Sequence, residues 1–143
     1  MAIWFKTPTL EEGNELHKNT LVDQLGIRLA HIGDDFIVGT MPIDKRTVQI
    51  TGILHGGASV VLAETLGSYA ANCCVDQEKF YCVGIDVNAN HIRKASKGRV
   101  TGMARPIHIG LQTQVWRIEI NDSNDRPICE SRLTIAVIKK DRS

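Results

Sequence analysis

The sequence predicts an α+β domain in which an antiparallel sheet packs against one long, buried helix. Two observations indicate this class: a helical stretch near the middle of the chain that is almost free of charge, and four strand-like runs after it. Connections of hairpin length separate those runs, and hairpins join antiparallel neighbours. Such a sheet can bury its inner face on the helix. The chain has 143 residues and no linker, so a single domain spanning 1–143 is expected.

The composition is that of an ordinary soluble protein and argues against several function classes. A net charge of +1 gives no general attraction to nucleic acid. The N-terminus lacks a signal-peptide pattern, and no apolar run reaches the length of about 20 residues that spans a membrane. A cytoplasmic protein is therefore expected, with no nucleic-acid and no membrane partner. The four cysteines form no CxxC pair, so reduced, packed thiols are expected instead of a metal site or disulfides.

The first third of the chain predicts two short helices and two strands. Thr9 and Glu12 form a capping box, which opens a helix that should end near Lys18. The segments after it alternate weakly between apolar and polar residues, as strands do. The remaining predicted elements are a turn of helix over 21–25 and strands over 27–31 and 36–41.

The stretch 47–75 predicts the long helix and contains the first sign of function. From Gly57 onward, good helix formers follow one another without a proline. The whole stretch has one formal charge, Glu64, and one histidine, His55. A helix that is apolar on every side is normally buried, where a lone carboxylate is costly unless it is paired or used. Glu64 shares a helix face with Ser68, which follows it by four residues.

After the helix, the apolar period changes from 3.6 residues to two, which predicts strands. One strand begins at Phe80 and runs to His91 or Arg93, and the next covers 99–104 and is stopped by Pro106. A sheet of this kind has an edge strand, which invites pairing between chains. Two further strands are predicted over 111–120 and 129–138, joined by a polar turn at 121–125.

Three motifs in the central and later parts of the chain resemble one enzyme family. They are HGGxxxxLAET at 55–65, VNANHIR at 87–93 and QVW at 114–116. Together they are similar to the hotdog-fold acyl-CoA thioesterases of the phenylacetic-acid-pathway type, nearest to the subgroup of 1,4-dihydroxy-2-naphthoyl-CoA hydrolases and enterobactin-pathway proofreading thioesterases. The resemblance implies a curved antiparallel sheet around a long central helix, with subunits paired into dimers and usually tetramers. It also implies hydrolysis of an acyl-CoA thioester without a metal or organic cofactor.

The resemblance assigns a part in thioester hydrolysis to five residues. The reaction needs a carboxylate that attacks the carbonyl or activates water, and donors where the oxyanion forms. The family's catalytic carboxylate falls on Glu64, and whether it acts as nucleophile or general base stays open. The N–H of Gly56, at the helix N-terminus, suits the oxyanion. The resemblance places Gln49 and His55 beside the thioester and implies that Ser68 positions water.

A second group of residues is implied to lie near the coenzyme. Lysine and arginine side chains suit its phosphates. Lys97 and Arg99 are interpreted as solvated side chains at a turn. The family positions near the coenzyme match Gly84, Asn90, His91, Ile92, Arg93, Lys94, His108, Ile109 and Gly110.

Two departures from the subgroup concern the substrate. Leu111 follows Gly110 where the subgroup usually has arginine, which removes one expected phosphate contact. Ile50 and Thr51 follow Gln49 where the subgroup usually has Pro-Phe, in a segment that borders the acyl pocket. The substrates of the named relatives are therefore not transferred to this chain, and a small aromatic or medium-length acyl group is favoured.

The spacing of Gly56 and Glu64 predicts that active sites are shared between subunits. Eight residues on a helix correspond to a rise of roughly 12 Å. Groups that act on one carbon must come within about 3–3.5 Å of it. Two helices packed antiparallel across a two-fold axis meet this requirement, whereas one helix does not. Each of two sites per dimer would then take Glu64 and Ser68 from one chain and Gln49, His55 and Gly56 from the other.

Two other functions on the same fold stay open. A non-catalytic acyl-CoA-binding protein would bind its ligand without releasing a thiol, but neutral binding needs no buried charge at Glu64. An acyl-thioester dehydratase would form an enoyl product, but those enzymes usually lack the spacing between the HGG motif and the glutamate. A purely structural oligomer is the third, least favoured alternative.

Overall fold

Three helices and six strands make up the fold in residues 1–141, which are the residues that the structure, a computed structural model, describes. Two short helices and two strands precede one long helix, and four strands follow it. The helices are α1 (Leu10–Leu16), α2 (Leu21–Gln24) and α3 (Gly56–Cys73), and the strands are β1 (Arg28–Ile32), β2 (Ile37–Pro42), β3 (Phe80–His91), β4 (Arg99–Ile109), β5 (Thr113–Asn121) and β6 (Pro127–Lys139).

The strands form one antiparallel sheet in the order β1-β2-β4-β5-β6-β3. Its edges are therefore β1 and β3, and β3 is long, with 12 residues. Helix α3 lies across the sheet and contacts β2, β3, β4, β5 and β6. The predicted α+β class is confirmed, and the sheet packs against the long helix.

Leu66 is at the centre of the contact between α3 and the sheet, and it is 0% exposed. Gly39 of β2 and Gly102 of β4 are partners across the ladder. A Cβ atom built on Gly39 would lie 2.6 Å from the Leu66 side chain, and one built on Gly102 would lie 2.9 Å from it. These two glycines therefore leave the space that Leu66 fills. The largest fully buried side chains around it include Trp116, Ile37, Met41, Leu62, Ile118 and Leu133.

Helix α1 begins as the capping box predicts. The Thr9 Oγ1 atom accepts a hydrogen bond from the Glu12 N–H at 3.1 Å, and α1 ends with His17 as its C-cap, close to the predicted end. The Asn14 side chain fastens α1 to β1, because it donates to the Leu29 carbonyl at 3.2 Å and accepts from the Leu29 N–H at 2.8 Å.

Two strands depart from their predicted course. The prediction that Pro106 stops its strand is wrong, because β4 continues to Ile109 with a register shift between Pro106 and His108. A bulge accommodates the missing proline N–H, which a regular ladder would not. A second bulge, between Gly84 and Asp86, interrupts the predicted alternation in β3.

The four cysteines, Cys73, Cys74, Cys82 and Cys129, are free thiols, and three of them are buried. Within residues 1–141, no helix is both long enough and apolar enough to cross a membrane.

Replacing Leu66 tests the packing of the helix on the sheet. We expect Leu66→Ala to lower the free energy of unfolding by about 2–5 kcal/mol, because truncation leaves a cavity between α3 and the two sheet glycines. Leu111 is 94% exposed, so Leu111→Ala is the matched control and should change stability by no more than about 0.5 kcal/mol. Urea unfolding followed by circular dichroism measures both. Equal losses in the two variants would contradict the assignment of Leu66 to the core.

Candidate active site

The start of α3 presents two hydrogen-bond donors. His55 is the N-cap of the helix, and its Nδ1 atom accepts a hydrogen bond from the Gly57 N–H at 2.8 Å. Because Nδ1 acts as the acceptor, the neutral ring carries its proton on Nε2 and can donate it outward. The Gly56 N–H is the first of the helix, and none of the hydrogen bonds in residues 1–141 uses it. Helix N-termini carry partial positive charge, so this end of α3 suits an oxygen that becomes negative.

Gln49 lies in a tight loop just before α3. Its N–H donates to the Ile53 carbonyl at 2.9 Å, and its own carbonyl accepts from the Gly52 N–H at 2.9 Å. Its side-chain oxygen accepts from the N–H and the hydroxyl of Thr51. Within the part of the chain that the structure describes, the Gln49 Nε2 group donates no hydrogen bond. The loop therefore holds the Gln49 side chain while leaving its amide hydrogens for a ligand.

His91, the last residue of β3, packs against Gly56. A Cβ atom built on Gly56 would lie 2.8 Å from His91 Nε2, so the missing side chain admits the imidazole ring. The N–H groups of Ile92 and Arg93 donate to the Ile128 carbonyl at 2.7 and 3.4 Å, which fixes the chain just after His91. The helix-start cluster consists of Gln49, His55, Gly56 and His91.

Glu64 and Ser68 lie farther along α3, half-buried, on the wall of a cleft of about 1040 Å³. The cleft runs between α3, the segment 5–8 with α1 and α2, and residues 75–78. The Glu64 carboxylate lies against β3 at Gly84, where a built Cβ atom would be 2.7 Å from Oε2. The mid-helix cluster consists of Glu64, Ser68 and Gly84.

The two clusters contain all five predicted catalytic residues but remain apart within one chain. Gly56 and Glu64 belong to one uninterrupted helix, so about 12 Å of helical rise separates them. The spacing argument assumed a continuous helix between these two residues, and the structure shows one, whereas sharing between subunits stays a prediction. Neither cluster alone presents both a carboxylate and an oxyanion donor.

The residues predicted near the coenzyme fall at two ends of the sheet. Asn90 to Lys94 lie at the end of β3 beside the helix-start cluster, and all five are exposed or half-exposed. Gly84 pairs with Ile135, which pairs with Gln114, which pairs with Ile109. Gly84 therefore lies in the same row of the sheet as the segment His108, Ile109 and Gly110. Seven residues of β3 separate this row from His91, which is roughly 23 Å along a strand.

Two residues near the cleft were not predicted. Asn72 ties α3 to the start of β3: its side chain accepts from the Cys82 N–H at 2.9 Å and donates to the Cys82 carbonyl at 3.1 Å and the Ser68 carbonyl at 2.9 Å. Asn72 follows Ser68 by four residues, a helical spacing that could have placed it on the same face. Tyr69 lines the cleft with its ring edge-on to His17, and burial raises its pKa above the ordinary value.

Comparison with known proteins identifies the family. The chain matches the thioesterase superfamily over residues 51–129. It is 50% identical over 136 residues to the 1,4-dihydroxy-2-naphthoyl-CoA hydrolase of Escherichia coli, covering 95% of this chain and 99% of that protein. It is 46% identical over 136 residues to the proofreading thioesterase EntH of Cronobacter turicensis, covering 95% and 98%. A crystal structure of a variant of thioesterase PA1618 from Pseudomonas aeruginosa, 49% identical, gives a TM-score of 0.96 over 97% of this chain and 100% of that one.

The chain therefore belongs to the thioesterase superfamily, and its antiparallel sheet with one long helix is the hotdog fold. The resemblance drawn from the three sequence motifs is confirmed, including the nearest subgroup. The protein is an enzyme with thioesterase activity. Within residues 1–141, no group of three or more His, Cys, Asp or Glu side chains is arranged to hold a metal ion.

The thiols near the cleft are poor nucleophiles. Burial raises the pKa of Cys74 to about 12 and the pKa values of Cys73 and Cys82 to about 11. The thiolate is the reactive form. At pH 8, about one thousandth of a thiol with a pKa of about 11 is ionised, and about one ten-thousandth of a thiol with a pKa of about 12. The arrangement therefore favours carboxylate chemistry over a cysteine nucleophile.

Alkylation of the native protein tests this assignment. At pH 8, iodoacetamide should modify the cysteines far more slowly than it modifies glutathione, which serves as the exposed reference thiol. In denaturant all four cysteines should react at the reference rate. Intact mass spectrometry counts the modified thiols, and rapid modification of any native cysteine would contradict the raised pKa values.

Proposed function

We propose that the protein hydrolyses an acyl-CoA thioester to the free acid and coenzyme A, as a homo-oligomer whose active sites are shared between paired subunits. The observation that carries this proposal is the division of the predicted catalytic residues into two clusters, one at the start and one in the middle of a single continuous helix. Each cluster supplies one half of what thioester hydrolysis requires. A single chain spanning 1–143 is proposed as the catalytic unit of each subunit.

In the proposed reaction, the thioester oxygen binds the Gly56 N–H and the His55 Nε2–H of one subunit. These donors stabilise the negative charge that develops on that oxygen. Glu64 of the partner subunit either attacks the carbonyl carbon or removes a proton from a water molecule that attacks it. If Glu64 attacks, the carbon–sulfur bond breaks to leave a mixed anhydride on Glu64, and the water that hydrolyses this anhydride restores the carboxylate and supplies the proton for the sulfur. If water attacks, the proton that Glu64 has removed passes to the departing sulfur as the carbon–sulfur bond breaks. In both routes coenzyme A leaves as the thiol and the acyl group leaves as the free acid. Ser68 and Gln49 orient the attacking water and the thioester.

The free edge of β3 supports the pairing that this mechanism needs. The N–H and C=O groups of Cys82 point away from β6, because they bond to Asn72. In an antiparallel ladder these orientations alternate, so the backbone groups of Gly84, Val87, Ala89 and His91 also point to the free edge once the bulge is counted. The edge thus offers unpaired donors and acceptors to a second copy.

A two-fold axis at Asn88 would pair two β3 strands in a definite register. Val87 would then face the partner's Ala89, and Gly84 would face the partner's His91. Glu64 lies against Gly84, and Gly56 lies against His91. Paired strands are about 4.8 Å apart, so this register brings Glu64 of one subunit next to Gly56 of the other. A tetramer of two such dimers and a cytoplasmic location stay predictions.

The cleft beside Glu64 supports a small aromatic or medium-length acyl group. Its volume of about 1040 Å³ is close to the upper limit of the range for small-ligand sites, about 300–1,000 Å³, and much of its wall is apolar. Beside the helix-start cluster, His91, Arg93 and Lys94 are placed to meet coenzyme phosphates. The apolar wall includes Phe5, Leu16, Leu21, Val61 and Tyr69.

A panel of acyl-CoA esters tests the activity. We expect thiol release, detected with a disulfide reagent, to be fastest for benzoyl, phenylacetyl and C6–C10 acyl groups. Glu64→Ala should lower kcat by about 10²–10⁴, the usual contribution of a positioned carboxylate. Ligand binding without any thiol release would support the non-catalytic alternative, and an enoyl product would support the dehydratase.

Complementation between two inactive variants tests site sharing. Glu64→Gln removes the carboxylate, and Gly56→Pro removes the oxyanion N–H at a helix position that accepts proline. Each homodimer should lose at least about 100-fold of its activity. A heterodimer of the two variants keeps one site with both groups intact, so it should recover up to about half of the wild-type rate.

Gly56→Ala is the matched control, because it adds a comparable side chain near His91 but keeps the N–H. The heterodimers are isolated with two different affinity tags and verified by mass spectrometry. Verified heterodimers that stay as inactive as both parents would rule out sharing between Glu64 and Gly56.

A further inference from the structure

Gly84 is a glycine for reasons of space and not of backbone conformation. Its φ lies outside the positive range that favours glycine, whereas Gly26, Gly52 and Gly98 have positive φ values. A Cβ atom at Gly84 would lie 2.7 Å from Glu64 Oε2 and 3.5 Å from Glu64 Cδ. The space that a side chain at position 84 would occupy therefore lies directly beside the Glu64 carboxylate.

The elements around this contact are fixed, so only the carboxylate can yield to an added methyl group. The other neighbour of the built Cβ is Leu133 Cδ1 at 3.3 Å, and Leu133 is 0% exposed in the core. Leu62 and Ala63 are fully buried, which fixes the backbone of α3 at Glu64. On the strand side, β6 pairs with β3 along its length, and the Asn72 side chain fastens its start to α3.

We propose that Gly84 is a positioning residue for Glu64, and that it acts by leaving the space which sets the direction of the carboxylate. This inference rests on the proposed function and gives Gly84 a task different from the coenzyme contact that the resemblance implied. Any side chain at this position turns the Glu64 carboxylate away from β3, and hence away from the free edge where the partner's oxyanion donors would lie. A carboxylate displaced by about 1 Å loses much of its effect on a bound thioester, since such shifts cost up to about 10²-fold in rate.

Steady-state kinetics of Gly84→Ala separate positioning from substrate binding. The variant should lower kcat at least 10-fold while KM stays within about threefold, because the change concerns the reacting group and not the bound coenzyme. Val83→Ala, the adjacent position on the opposite face of β3, is the control and should keep the wild-type kcat. A raised KM with an unchanged kcat in Gly84→Ala would overturn the proposal in favour of a coenzyme contact.

Thermal melting tests the same contact without any substrate. The change in Tm that Gly84→Ala causes should be less favourable in the wild-type background than in the Glu64→Ala background, where the opposing oxygen is absent. If Gly84→Ala alone does not fold, the double variant should still fold. An equal change of Tm in both backgrounds, or a double variant that also fails to fold, would overturn the steric relation.

The two readouts distinguish this inference from the proposed function. A wild-type protein that hydrolyses no acyl-CoA ester would overturn the proposed function. The melting experiment would in that case still decide whether Gly84 and Glu64 are coupled. Coupling without hydrolysis would mean that Gly84 leaves space for the Glu64 side chain but has no part in catalysis.

Discussion

The antiparallel contact between α3 and β3 is the constraint on which the rest of the molecule depends. Gly56 at the start of α3 contacts His91 at the end of β3. Glu64, farther along α3, contacts Gly84 near the start of β3. Asn72 fastens the two elements at Cys82. These contacts determine where the Glu64 carboxylate and the Gly56 N–H lie with respect to the sheet edge.

This contact also explains why the predicted catalytic groups of one chain lie apart, in two clusters. The helix separates its donor end from its carboxylate by about two turns, and the residues that these groups contact, His91 and Gly84, lie at opposite ends of the β3 edge. In the proposed dimer, two-fold pairing along this edge would bring the carboxylate of each subunit next to the Gly56 N–H of the other. In the proposed account, the packing of α3 against β3 determines both the catalytic site and the way in which two subunits pair.

Much of the fold and of the candidate site could be predicted from the sequence, because the signals are local. The capping box at Thr9 acts within four residues, and Glu64 is visible as one charge in an apolar helix. The position of β3 at the edge could not be predicted, because strand order depends on contacts between distant segments. The continuation of β4 past Pro106 depends in the same way on a bulge that its partner β5 accommodates.

The predicted catalytic residues show where sequence reasoning ends. The resemblance to the family supplied the five positions, the chemistry of thioester hydrolysis explains their residue types, and their roles stay predictions. The sequence shows a glycine at Gly56 and another at Gly84 but does not show which side chain lies against each. The structure shows that each leaves space for a neighbouring side chain, His91 in one case and Glu64 in the other. Asn72 was missed because its side chain binds the backbone of a strand ten residues later, and no local sequence pattern predicts such a contact.

A crystal structure of the Glu64→Gln variant with bound benzoyl-CoA is the most direct test of the central claim. The account predicts that the thioester carbon lies within about 3.5 Å of the side chain at position 64 of one subunit. The thioester oxygen should lie about 3 Å from the Gly56 nitrogen of the partner. A thioester held by position 64 and Gly56 of the same subunit, or lying away from β3 altogether, would contradict the account.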